Sequence, residues 1–86
     1  MTRTEHLLTI LAEECAEVAQ RASKALRFGL SEVQPGQLLT NSERIEDELA
    51  DVMAAVTMLA SDMLLDPARA SDMGRVERKI EQVERY

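Results

Sequence analysis

The chain has 86 residues and a formal net charge of −6, from 16 acidic and 10 basic side chains. That is room for one small domain, residues 1–86, and the acidity argues against a nucleic-acid polymer as partner, since phosphate backbones need clustered Lys and Arg. A single Cys excludes an internal disulfide, and one Phe, one Tyr and no Trp leave Leu, Ile, Val, Met and Ala to fill the core.

The opening "MTRTEHLL" has no signal-like apolar stretch, and no segment approaches the ~18 apolar residues of a membrane helix. A cytoplasmic protein with no membrane partner is expected. A first helix is predicted from about Thr4 to Phe28, because Leu7, Leu8, Ile10, Leu11, Cys15, Val18, Ala22, Ala25 and Leu26 recur at helical spacing. Gly29 is its natural stop. The segment "GLSEVQPGQLL" reads as a connection turning at Pro35-Gly36, with Leu30, Val33, Leu38 and Leu39 packing it down. Thr40 and Glu43 form a capping box for a second helix, with Asn41 as a rival cap. Its stripe is Ile45, Leu49, Val52, Met53, Val56, Leu59 and Met63, and it is expected to end near Leu65. Asp66-Pro67 then starts a last helix carrying Met73, Val76, Ile80 and Val83. The fold class is all-α: two long antiparallel helices plus a shorter C-terminal one. So small a core is expected to be completed by oligomerisation.

Within that pattern, two acidic pairs intrude on apolar faces. On a wheel of about 100° per residue, Leu7, Leu11, Val18 and Ala25 fall within roughly 60° of Glu14, and Glu17 borders the stripe. Arg21 and Lys24 continue the same flank. In "EDELADV" the arrangement recurs, with Glu48 among Ile45, Val52, Ala55 and Leu59, and Asp51 at the border. If the two stripes face each other, Glu14, Glu17, Glu48 and Asp51 converge and repel. Hard divalent cations relieve such repulsion, and Mg²⁺ keeps positions for water and phosphate oxygens. Solvated decoration would explain either pair alone, as it does for several of Glu13, Glu43, Glu46 and Asp47, but it explains two intruding pairs poorly. A di-iron bundle would need Glu-x-x-His on two helices. The one histidine, His6, has no such spacing and reads as a surface residue; Cys15 reads as a small core residue. No Gly-rich phosphate loop or Ser/His/Asp set is present.

The stretch "EECAE" and, some thirty residues on, "ELAD" resemble the E-E-x-x-E … E-x-x-D signature of the all-α nucleoside triphosphate pyrophosphohydrolases, the MazG-like superfamily. The likeness runs from about Leu7 to Leu59 and is closest to short single-domain members, including those found in phages; "VERKIEQVERY" is only loosely similar. It implies a bundle assembled as a homodimer or homotetramer. It also implies cleavage of a nucleoside triphosphate between the α and β phosphates, to the monophosphate and pyrophosphate, with Mg²⁺ (Mn²⁺ as a substitute). By resemblance Glu14, Glu17, Glu48 and Asp51 are the metal ligands and Glu13 orients water. Lys24 and Arg27 meet the triphosphate, with Lys79 a further candidate. Two alternatives stay open: a non-catalytic helical interaction module that keeps the fold, and a carboxylate metal-binding bundle acting on another phosphoester.

Overall fold

Two capping boxes frame the structure, a computed structural model that describes residues 1–85. Thr2 Oγ1 accepts from the Glu5 N–H at 3.1 Å, while the Glu5 carboxylate accepts from the Thr2 N–H at 3.2 Å. Helix α1, Arg3–Phe28, therefore starts one residue ahead of the expected Thr4. It ends as expected on Gly29, whose φ of 95° favours a residue without Cβ. Thr40 and Glu43 repeat the box and open helix α2, Asn41–Ser61.

The connection between them is held by hydrogen bonds. Asn41, only 2 % exposed, donates Nδ2 to the Gly29 carbonyl at 2.8 Å and its N–H to the Glu32 carbonyl at 2.9 Å. Ser42 N–H reaches Leu30 O at 2.9 Å, and Val33 pairs with Thr40 in an isolated antiparallel bridge. The expected apolar anchoring is absent, for Leu30, Val33, Leu38 and Leu39 are all exposed. With backbone groups satisfied by the start of α2, the loop needs no buried leucine to hold its course.

Helix α2 returns antiparallel to α1, and Arg3 Nε closes the far end on Asp62 Oδ2 at 2.7 Å. It stops at Ser61, four residues before the expected Leu65. Met63 takes a left-handed φ of 61°, and the Leu64 N–H turns back to the Leu59 carbonyl at 2.9 Å. The single last helix expected after Pro67 is two: α3, Pro67–Ala70, and α4, Met73–Glu84. Asp66 caps the first, and Asp72 the second by accepting from the Arg75 N–H at 3.0 Å. A carboxylate that caps a new helix ends the old one.

The core lies wholly between α1 and α2, where Leu7, Ala55 and Leu59 are the buried apolar residues. Among the described residues α3 touches only α2, and α4 packs on no other helix. Cys15, expected in the core, is exposed. No described helix is long and apolar enough to cross a membrane.

Candidate metal centre

The antiparallel pairing brings the middle of α1 against the middle of α2. Glu14 and Glu48 each sit on the stripe facing the partner helix, and Asp51 lies one turn beyond Glu48. One carboxylate oxygen from each of Glu14, Glu48 and Asp51 lies within 4.8 Å of the others. Glu48 Oε2 is buried without a hydrogen-bond partner. A buried acceptor left unpaired costs its full desolvation, so this oxygen is set for a donor or a cation that arrives with a ligand.

The Glu14 carboxyl is held above its ordinary 4.5. Partial removal from water contributes most, then a hydrogen bond with Glu48, then the charges of Asp51, Glu48 and Glu17. Negative charge is therefore in excess at the point where the three side chains meet. Carboxylate oxygens alone, three of them convergent, are the donor set of a hard cation such as Mg²⁺ or Mn²⁺. The residues fit the ion the sequence leads one to expect.

Of the other expected site residues, Glu17 stands one turn further along α1, outside the trio, with Oε2 3.7 Å from Arg21 Nη2. Glu13 is exposed beside Glu14. Lys24 is exposed on the flank that Glu17 begins. Arg27 lies over the Phe28 ring at 5.1 Å from its centroid. Lys79, on the unpacked α4, reaches Gln82 Oε1 at 3.5 Å. The depression of about 510 Å³ that Lys79 lines with Arg69 and Arg75 includes none of the clustered carboxylates. It reflects the stand-off of α4.

Two features were not foreseen. A groove of about 220 Å³ runs beside Glu48, lined by Arg21, Gln37, Leu39, Arg44, Asp47 and Glu48. Arg44 precedes Glu48 by four residues, the spacing that puts both on one helix face; that signal was available. Nothing in the sequence points to Gln37 or Leu39, which enter from the connection.

An antiparallel helical pair with carboxylates converging across it is an arrangement that all-α metal-binding bundles share. The profile of the MazG nucleotide pyrophosphohydrolase domain matches residues 2–82. The chain belongs to that family. No curated protein and no solved structure matches it.

Proposed function

We propose that the protein hydrolyses nucleoside triphosphates between the α and β phosphates, with Mg²⁺, releasing the monophosphate and pyrophosphate. The observation that carries this reading is the convergence of Glu14, Glu48 and Asp51 around an unpaired buried oxygen, in a chain of the nucleotide pyrophosphohydrolase family. Glu14, Glu48 and Asp51 would hold the cation, and Glu17, now beside Arg21, would complete the set. Mn²⁺ is the expected substitute. The ion supplies charge neutralisation at the phosphates and a lowered pKa for water.

The chain's own groups do the rest. Glu14, which holds its proton more tightly than a free carboxyl, would have to release it to serve as a ligand. Glu13, exposed at the rim, orients the attacking water and accepts its proton. The water oxygen joins the α phosphorus as the bond from that phosphorus to the bridging oxygen breaks, and pyrophosphate departs with the electron pair. Lys24 offsets charge on the departing group; Arg27 and Lys79 join it after leaving the Phe28 ring and Gln82. The setting is cytoplasmic, and the active form is a homo-oligomer. Incubation with a panel of ribo- and deoxyribonucleoside triphosphates, with and without Mg²⁺, is expected to release pyrophosphate and never orthophosphate from the cleaved substrate. Orthophosphate release, or no Mg²⁺ dependence, would sink the reading.

A further inference from the structure

We propose that α4 is an assembly arm that pairs in parallel with α4 of a second copy of this chain, the two helices meeting along Met73, Val76, Ile80 and Val83. Those residues recur at three-, four- and three-residue steps, the spacing of a heptad seam. All four are exposed, Ile80 by 54 %, and α4 packs on no other helix among the described residues. Apart from Gly74, the rest of α4 is charged or polar, so no second apolar face competes with this one. A helix of 12 residues is marginal in water without tertiary support. An apolar stripe supplies that support only once it is covered.

The flanks of the seam select what covers it. At about 100° per residue, Glu77, Glu81 and Glu84 fall on one side of the stripe and Arg75 and Lys79 on the other, with Arg78 on the back. Parallel helices bring unlike flanks together, whereas antiparallel helices bring like flanks together. In a parallel pair Lys79 meets Glu84 of the second copy, five residues on, and the two-fold axis repeats the contact. In an antiparallel pair Glu77 meets Glu84 and Lys79 meets Lys79, so every flank contact repels. Asp72 is the exception on the basic side, but its carboxylate is engaged with the Arg75 N–H at 3.0 Å.

Neither member of the new ion pair has to leave another. Lys79 reaches only Gln82, at 3.5 Å, and Glu84 makes no ion pair among the described residues. The pair belongs to the assembly at rest, before a nucleotide draws Lys79 away. An anionic bilayer suits the stripe poorly, because three glutamates border it. A second copy brings both flanks with it. Two heptads bind weakly alone, so the arm joins chains that other surfaces already hold at high local concentration.

The test is disulfide trapping in the full chain with Cys15→Ser, read on non-reducing gels, with folding checked by circular dichroism. In a parallel pair Val83 faces Val83, so Val83→Cys should cross-link at least about tenfold faster than Arg78→Cys on the back of the helix. Adding Ile80→Glu should abolish the difference. Adding Glu84→Lys, which sets lysine against lysine in a parallel pair, should slow the reaction, and Lys79→Glu on top of it should restore the rate. Because α4 packs on no other helix, these changes leave the α1–α2 core untouched. Val83→Cys no faster than Arg78→Cys would overturn the proposal and leave the stripe to a different protein or a membrane. Faster linkage between Met73→Cys and Val83→Cys chains in a mixture, or acceleration by Glu84→Lys, would overturn it in favour of an antiparallel pair.

Discussion

Glu14 pulls the stability and the chemistry of the site in opposite directions. In the unfolded chain it titrates near 4.5, and in the fold it titrates higher. The folded state thus holds the proton more tightly, and the stability it contributes is full below 4.5 and lost as pH rises through the raised value. Glu14→Gln cannot ionise and keeps that contribution at neutral pH. Metal-free Glu14→Gln is therefore expected to melt at or above the parent at pH 7, with the difference closing as pH falls toward 4. Mg²⁺ should raise the melting temperature of the parent and leave the variant unmoved. A variant that melts below the parent without metal, yet gains equally from Mg²⁺, would take Glu14 out of the site. Glu5 and Glu43 oppose this trend, because hydrogen bonds with Thr2 and Thr40 lower them; their contribution is present above 4.5 and lost as pH falls. The trio of Glu14, Glu48 and Asp51 was readable because acids inside an apolar stripe have few innocent explanations. Glu17 carries the same wheel signal, and in the fold it stands one turn along α1 beside Arg21, a pairing that wheel angle does not express. Arg44 went unread, since one arginine on an acid-rich helix looks solvated until a groove is seen beside it.

Helix ends in this chain are set by side chains that reach the backbone, and their legibility follows from that. The Thr40–Glu43 box is local and was read correctly; the Thr2–Glu5 box is equally local and gives α1 its earlier start. The stop of α2 was hidden because Met63, a non-glycine residue, adopts φ 61°, where sequence reasoning looks for Gly or Asn. The connection departs from its pattern for a different reason: its leucines suggest packing, but they are exposed and Asn41 does the anchoring. Asn41→Ala strips the Gly29 carbonyl of its donor in a buried place and is expected to cost about 1–3 kcal/mol. Thr40→Ala, which removes only a cap, should cost about 1 kcal/mol. Urea unfolding of the two variants checks the order. Asn41→Ala unfolding with the parent would mean that the bridge and the Ser42 bond hold the loop without it.

The molecule is drawn out for its length. Its Cα radius of gyration is 15.4 Å, against about 12 Å for a compact chain of this length. Its thinnest extent is 16 Å, little more than the ~10–12 Å of one helix with side chains, whereas stable domains stack two layers. One side of the α1–α2 pair supplies the missing surface. Leu8, Ala12, Cys15, Ala19, Ala22 and Leu26 recur at alternating four- and three-residue steps, and all are exposed. On α2, Leu49, Met53, Val56 and Ala60 follow the same steps. Both rows are offset by about 90° in the same rotational sense from the stripes in contact, and in antiparallel helices equal offsets emerge on one side. Glu17 and Asp51 are offset in the opposite sense, so the acids open on the other side. The apolar side offers small residues on α1 and larger ones on α2, which suits a second copy turned by a two-fold axis, the Leu49 and Met53 of each entering the Ala-lined row of the other. Met53→Glu should then raise the dimer dissociation constant at least about a hundredfold. Thr57→Glu, on the back of α2, should leave it unchanged. Sedimentation equilibrium reads both, and the melting temperature of the parent should climb with concentration while that of Met53→Glu does not. A parent that sediments as a monomer at tens of micromolar while keeping its melting temperature would show that this single layer stands alone.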